Sequence, residues 1–488
     1  MLQLTELARA VEGEILGTAK NVGVRGVAYD SRRVSPGDVF VAISGLKDDG
    51  SRYVRDAIAK GAVAVIQDRT LKTSYEVPVV GVATPRAALA KAAWSLADTP
   101  NKKLKLVGIT GTNGKTTVAA ALANLLTLCD KPCGVCGTLG MFFGEHKLES
   151  DRTTAEAPEL ARAFADMLER GATHVAMEAT SIGLVMHRLD ELQFEVGILT
   201  NMSRDHLDFH GTWENYRQAK SMLFDSSRLA GTAVINADDP EADYFLRHTT
   251  RPSLSYGLND ACEFCASEIQ LRADGTSFLL RTPESSFEIS SRLIGKFNVY
   301  NTLAVVAGAY ALGVPLAKIV EVLPGLTPVR GRAEVVPSSA SFAVLVDYAH
   351  TPDALEKILS TMRDLTKGKL HCVIGAGGDR DKGKRPLMAQ AAEKYSNVVY
   401  LTSDNPRSED PQAILDDMLA GVASSNKIRS NPDRRAAICA ALQSAKAGDV
   451  VVVAGKGHET YQEIRGIKHT FDDADVIREW LRQSGFLT

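Results

Sequence analysis

Apolar residues along the chain gather in short runs, each closing in a polar or glycine-rich turn, with stretches of helical spacing between them. In the first hundred residues VRGVAYDSRRV and PGDVFVAI read as strands and AIAKGAVAVI, residues 57–66, as helix, which predicts a small α/β domain. At residue 102 the pattern changes. KLKLVGIT is an apolar strand that enters a glycine-rich turn and then the alanine-rich stretch VAAALANLLTL, so strand, turn and helix follow one another. HVAMEAT, FEVGILTN and TAVINADD continue as strands alternating with helical stretches such as APELARAFADMLERG, the rhythm of a parallel sheet covered by helices. A third series runs through FAVLVDYAHTP, KLHCVIGAGGDRD, NVVYLTSDNPR and DVVVVAGKGHE. The expected fold is α/β in three domains: a small N-terminal α/β domain over 1–101, a central P-loop-type parallel-sheet domain over 102–329 and a C-terminal Rossmann-like domain over 330–488. Open α/β sheets bind ligands at the carboxyl ends of their strands, so the turns closing these runs are where chemistry is expected.

Charge narrows the candidates. The 488 residues carry 56 basic and 59 acidic side chains, a net charge of −3 without a long run of either sign, which gives no footprint for nucleic acid. An anionic substrate must therefore be met by local cations. No basic segment leads into an apolar one at the start, and nowhere do 18 apolar residues run uninterrupted, so no membrane insertion and a cytoplasmic location are expected. Seven cysteines without a signal segment read as reduced thiols. Cys133 with Cys136 and Cys262 with Cys265 could offer four thiolates to zinc, but their separation favours small buried side chains and a surface turn.

Thr110-Gly111-Thr112-Asn113-Gly114-Lys115-Thr116-Thr117 has the parts of a triphosphate cradle. Its glycines free backbone N–H groups, a helix N-terminus faces the anion, Lys115 suits the β- and γ-phosphates and the Thr116 hydroxyl suits Mg²⁺. The strict P-loop pattern fails at its first glycine, where Ile109 stands.

This loop resembles that of Mur ligases and of folylpolyglutamate synthetases. MEATSIGL, TNMSRDHLDFHG, the AKSMLF stretch, GKFNVYN, RGRAE, DYAHTP, GGDRDKGKRPLM, TSDNPRSEDP and GKGHE follow in the order expected of the Mur ligase that adds the third residue of the peptidoglycan stem peptide. The resemblance spans the whole chain. It implies an ATP-dependent ligase that joins UDP-N-acetylmuramoyl-L-alanyl-D-glutamate to meso-diaminopimelate through an acyl phosphate, with Mg²⁺ as cofactor. A monomer is expected. The resemblance assigns Thr116, Glu178 and His206 to the metal, and Lys220 as a carbamate, since CO₂ added to the amine turns a repelled cation into a supporting anion. Asn298, Asn301, Arg330, Arg332 and Asp347 match nucleotide-side residues, although Asn301 and Arg332 read equally as a cap and a surface charge. Ser31, Arg32 and the turn Gly45-Leu46-Lys47-Asp48 match the uridine diphosphate site; Thr153, Thr154, Ser181 and Arg188 match the residues facing the sugar and peptide. Thr153 and Thr154 also suit an N-cap for a helix starting near Ala157. Met186 stands where the family often has Gln.

The amino acid is read from Asp404-Asn405-Pro406-Arg407. Meso-diaminopimelate differs from lysine by one carboxylate, which a guanidinium at Arg407 can bind bidentately and whose absence would leave that cation unmatched. The same resemblance gives Arg385 the other carboxylate, and Asp404, Asn405, Gly455 and Glu459 the ammonium groups. Substrates on different domains imply hinges near residues 101 and 330. Three alternatives stay open: a lysine-adding or relaxed Mur ligase, a folylpolyglutamate synthetase, and a non-catalytic ATP-binding scaffold.

Overall fold

The computed structural model describes the chain except for residues 17–20, 46–48, 72, 149, 151, 273–274, 327, 424 and 488. The turn through Leu46, Lys47 and Asp48, read above as part of a uridine diphosphate site, thus lies outside the described residues. Two compact units are present: Met1–Tyr256 with Ala304–Ile319, and Gly257–Leu303 with Val320–Thr488.

The first unit holds two sheets. In the smaller, strands Glu14–Leu16, Val79–Val82, Ala64–Asp68, Asp38–Val41 and Gly26–Ala28 lie in that order, parallel except for the first. Residues 57–66 are not one helix as the alanine spacing predicts. A helix covers Val54–Ala59, the chain turns at Gly61 with φ of +101°, and Ala64–Asp68 is a strand. The physical reason is local: left-handed backbone at a glycine ends the helix, and Val65 and Ile66 then gain more by pairing with Phe40 and Val80.

The larger sheet carries, in order, His146–Leu148, Gly140–Phe143, Cys133–Gly137, His174–Glu178, Lys105–Thr110, Phe194–Leu199, Leu229–Asn236 and Ser253–Gly257. The first two pairings are antiparallel and the rest parallel. Its middle strand, Lys105–Thr110, is buried from Leu106 onward and runs straight into the phosphate loop. The flanking strands end level with it, Glu178 beside Ile109 and Leu199 beside Thr110. Side chains after residues 178 and 199 are therefore delivered to the same rim. Cys133 and Cys136 lie three apart on one buried strand, hence on opposite faces, and burial pushes the Cys133 thiol up to about 12. They are core residues, not a pair of thiolates.

In the second unit an antiparallel meander, Phe264–Arg272, Gly275–Arg281 and Ser286–Ser291, precedes a six-stranded sheet. The order there is Glu334–Val335, Ala343–Asp347, Val450–Ala454, Leu370–Ala376, Val398–Ser403 and Ile428–Ser430, parallel but for the first. One face packs on helices Pro352–Leu365, Lys384–Tyr395 and Pro411–Leu419, the other on Arg434–Ser444 and Asp473–Gln483. That is the doubly wound pattern read from the sequence. Among the described residues no helix is long and apolar enough to cross a membrane.

One buried group makes the first unit sensitive to acid. His174 opens the strand beside Lys105 with Nδ1 on the Thr173 hydroxyl at 2.7 Å, and burial, with Lys131 and Lys105 nearby, lowers its pKa to about 4. A histidine depressed in the fold contributes stability fully above about pH 6.5 and loses it as pH falls toward 4. Denaturation measured across that window should show up to about 3 kcal/mol less acid loss in His174→Phe than in the parent; an unchanged profile would contradict this assignment.

Candidate functional site

The phosphate loop is held by the residues that follow the neighbouring strand. Gly111, at φ of +139°, lies so close to Thr200 that a Cβ would sit 1.9 Å from its hydroxyl. Thr200 Oγ1 donates to the Asn113 carbonyl at 2.6 Å, Asn201 Nδ2 donates to the same carbonyl at 3.0 Å, and Asn113 N donates to Asn201 Oδ1 at 3.0 Å. Thr112 Oγ1 lies 3.0 Å from the Tyr216 hydroxyl and donates to the Ser203 carbonyl. The helix Lys115–Leu128 starts immediately, with Gly114 as its N-cap at φ of +88°. Lys115 Nζ folds over the loop onto the Gly111 and Thr112 carbonyls at 2.9 and 2.8 Å. Thr117 is buried behind it.

Lys220 reaches the same carbonyl from the opposite side. It is 1% exposed, its Nζ is 2.7 Å from the Gly111 oxygen, and it lies over the Tyr216 ring at 4.6 Å. Burial first and Lys115 second hold its pKa well below the ordinary lysine value, so the neutral amine is favoured. His206, at φ of +51°, is lowered by burial, with Lys115 and Lys220 reinforcing and Asp205 opposing.

A chain of hydroxyls joins the loop to the strand ends on the other side. Thr116 Oγ1 is 3.4 Å from Thr138 Oγ1, which is 3.1 Å from Thr153 Oγ1, while Thr138 N donates to the buried Glu178 carboxylate at 2.8 Å. Thr154 Oγ1 donates to the Glu178 carbonyl at 2.7 Å and pairs with Thr180. Neither threonine caps a helix, because Ala157–Glu169 has Glu156 at its N-cap and no side-chain cap bond. Arg188 donates to Glu156 at 2.9 Å and to the Thr154 carbonyl at 3.0 Å, and Met186 ends the short helix Ser181–Val185. Ser181 Oγ lies 2.9 Å from His210 Nε2. Burial, with His206 and Lys220, lowers His210 to about 4, so it stands neutral there. Ser31 is buried in a short 3₁₀ turn, while Arg32 projects outward and pairs with Asp30.

In the second unit the expected nucleotide-side residues are engaged within it. Asn298 donates to the Ile294 carbonyl and accepts from Asn301, both buried in one helix. Asp347 accepts from the Ala333 and Ala349 amides at 2.6 and 2.7 Å, and burial raises its pKa. Arg330 pairs with Asp472, and Arg332 lies over the Tyr348 ring at 4.6 Å.

The turns after strands Leu370–Ala376, Val398–Ser403 and Val450–Ala454 interlock. Gly378 N donates to the Asn405 carbonyl, and a Cβ on Gly378 would meet the Pro406 oxygen at 1.9 Å, so only glycine fits. Asp404 is buried, with its carboxylate against Gly455, which adopts φ of +108°. Asn405 Nδ2 donates to Glu459 at 2.7 Å, and the fully buried Lys456 donates to both Asn405 and Glu459. Arg407, at φ of +52°, donates from Nη1 to the Gly378 carbonyl at 2.7 Å. Arg385 is 0% exposed, and its guanidinium donates to Glu409, Asp417 and the Gly377 carbonyl. Arg380 and Lys382 are exposed cations of that turn, Arg380 donating to the Asp379 carbonyl and Lys382 standing 3.4 Å from Glu409.

Thr200, Asn201, His210 and Lys456 lie in the motifs TNMSRDHLDFHG and GKGHE but carry no individual assignment there, whereas Thr138 and Tyr216 join the site without a local sequence signal. A further one is Arg434. Both it and Asp473 have fully buried side chains joined by two bonds of 2.7 and 2.6 Å, and Arg434 also donates to the Ser403 and Ala454 carbonyls. Those carbonyls directly precede Asp404 and Gly455. Among the described residues no group of three or more His, Cys, Asp or Glu stands ready for a metal, so a cation at the phosphate loop would need hydroxyl and phosphate oxygens besides Glu178 and His206.

Comparison with known proteins bears on this geometry. Three family profiles match: Mur ligase family, catalytic domain, over residues 23–102; Mur ligase middle domain over 109–309; and Mur ligase, glutamate ligase domain, over 331–457. A UDP-N-acetylmuramoyl-L-alanyl-D-glutamate--2,6-diaminopimelate ligase from Geobacillus thermodenitrificans is 41% identical, covering 99% of this chain and 100% of the relative. The protein of that name from Syntrophomonas wolfei is 42% identical over 99% of each. A solved structure of such a ligase matches with a TM-score of 0.68 at 36% identity over 95% of both chains. The Mycobacterium tuberculosis folylpolyglutamate synthase, at 19% identity and a TM-score of 0.64, shares the fold. A phosphate loop on the middle strand of one sheet and clustered cations at the strand ends of another make this an ATP-dependent, amide-bond-forming ligase. The chain belongs to the Mur ligase family.

The buried pair yields a stability test. Arg434→Met should lower stability by about 3–5 kcal/mol because it strands a buried carboxylate, and adding Asp473→Leu should recover most of that loss. Equal stability of the single variant and the parent in denaturant titration would contradict the pairing.

Proposed function

We propose that the protein joins UDP-N-acetylmuramoyl-L-alanyl-D-glutamate to meso-diaminopimelate in the cytoplasm, as a monomer, with ATP converted to ADP and phosphate. The observation that carries the choice of amino acid is Arg407, whose Nη1 donates to the Gly378 carbonyl at 2.7 Å in the turn that follows Asp404 and Asn405, since only diaminopimelate brings a second carboxylate to meet it. The curated relatives named for that activity cover nearly all of the chain. Domains over 1–101, 102–329 and 330–488 are proposed to hold the UDP-sugar, the nucleotide and the amino acid.

The γ-phosphoryl group passes to the D-glutamyl carboxylate with loss of ADP, and the neutral amine then attacks the carbonyl carbon and expels phosphate. Lys115 and the N–H groups of residues 111–117 hold the phosphates as charge shifts among their oxygens. Ser31 holds the uridine diphosphate end; Thr153, Thr154, Ser181 and Arg188 hold the sugar and peptide. Asn298, Arg330 and Asp347 belong to the nucleotide side. Asp404, Asn405, Pro406, Gly455 and Glu459 position the ammonium groups, and Arg385 takes the other carboxylate. No side-chain nucleophile takes part, so positioning and charge neutralisation supply the acceleration.

Thr116, Glu178, His206 and a carbamate on Lys220 would hold Mg²⁺, which would neutralise the phosphate oxygens. Hard oxygen donors and one imidazole fit that ion, whereas a lysine ammonium would not. The depressed pKa of Lys220 favours the free amine that adds CO₂.

Lys220→Met should lower turnover at least about 100-fold, the scale of losing one strong electrostatic contribution. Intact mass spectrometry of the native protein should give the parent a mass higher by one CO₂, absent from the variant. With the UDP-dipeptide supplied, ATP consumption should depend on meso-diaminopimelate and yield a product whose mass includes it. Equal rates with lysine would remove the argument from Arg407, and glutamate transfer to a folate would place the protein in the other branch of the fold.

A further inference from the structure

Arg407 has a neighbour that neither the motifs nor the relatives single out. The short strand Tyr461–Ile464 runs beside Asn405–Arg407: Glu463 N donates to Asn405 Oδ1 at 2.9 Å, Arg407 N donates to the Glu463 carbonyl at 2.9 Å, and Arg465 N donates to the Arg407 carbonyl at 2.6 Å. These backbone bonds fix the two side chains relative to each other. Their charged ends, however, are only loosely joined. Arg407 Nε stands 3.5 Å from Glu463 Oε2, a long contact, and the side chains remain 20% and 26% exposed. Nη1 is used on Gly378, whereas Nη2 and both Glu463 oxygens have no hydrogen-bond partner among the described residues. A guanidinium and a carboxylate held side by side, each with open bonding capacity, form a dipolar pair.

A dipolar pair of this kind matches a zwitterionic carbon, one bearing a carboxylate and an ammonium together. The distal centre of meso-diaminopimelate is such a carbon; lysine offers the ammonium alone. We infer that Glu463 is a specificity-determining residue that takes the distal ammonium of the acceptor while Arg407 takes the distal carboxylate. The inference rests on the reading of Arg407 given under Proposed function. In the absence of acceptor, Glu463 also offsets the charge of Arg407, so that neither group is left alone in a partly desolvated site.

Steady-state kinetics with three acceptors on the full-length enzyme separates the roles. L-2-Aminopimelate keeps the distal carboxylate and lacks the distal ammonium; lysine does the reverse. Glu463→Gln, nearly isosteric and partly exposed, should raise KM for meso-diaminopimelate by about tenfold, the scale of one charge-assisted contact, with kcat little changed. It should leave KM for L-2-aminopimelate within about twofold, because that acceptor never used the carboxylate. Glu463→Ala should give the same split. Equal effects on both dicarboxylic acids, or none on either, would overturn the inference. Arg407→Leu is the control on the underlying reading: it should raise KM for both dicarboxylic acids. If it does while Glu463→Gln shows no split, Glu463 alone is wrongly assigned; if Arg407→Leu changes neither, the acceptor reading falls and the Glu463 inference with it.

Discussion

The ends of the parallel strands in this protein are held by buried basic side chains that donate to backbone carbonyls. Lys220 donates to the carbonyl of Gly111, one residue past its strand. Arg385 donates to Gly377, again one residue past a strand, and Arg434 donates to Ser403 and Ala454, the last residues of two others. All three side chains are 0–1% exposed. A buried charge is costly unless paired, so the two arginines, each held by carboxylates, fix the backbone they touch, and a ligase that handles phosphates and carboxylates gains rims whose geometry is set before substrate arrives. With a net charge of −3 the chain has no general pull on anions, and local placement has to supply it.

The loops above these anchors are as close-packed as their backbones allow. Gly111 and Gly378 each sit where a methyl group would strike a hydroxyl or a carbonyl oxygen at 1.9 Å. Arg407 and His206 accept left-handed backbone, an uncommon conformation for such residues that functional rims tolerate when surrounding bonds over-determine it. The consequence is a phosphate loop clamped by Thr200 and Asn201, and an acceptor loop zipped to the strand through Glu463.

Much of this was legible in the sequence because the chemistry sits at strand ends, and strands that close in polar turns are a local signal. Glu178, the phosphate loop and Asp404–Arg407 fall there. What escaped is what depends on chain distance. Thr138 meets Thr116 and Thr153, and His210 meets Ser181, across 15 to 29 residues; Thr138 lies in no motif, and the motif that holds His210 does not show its partner. Arg434 and Asp473 lie on two helices, each an ordinary charge on its own. The partners of Arg385 were equally out of view: only packing brings Glu409 and Asp417 upon it. The helix expected over 57–66 failed because alanine spacing outweighed Gly61 in the pattern but not in the backbone.

The most direct test of the account is a crystal structure of the protein with meso-diaminopimelate bound. The account predicts the distal carboxylate on Arg407, with the backbone of residues 377–380 and 404–407 unmoved from its ligand-free course because its anchors are already in place. An Arg407 guanidinium turned to solvent with nothing anionic beside it, or an acceptor loop rebuilt around the ligand, would contradict it.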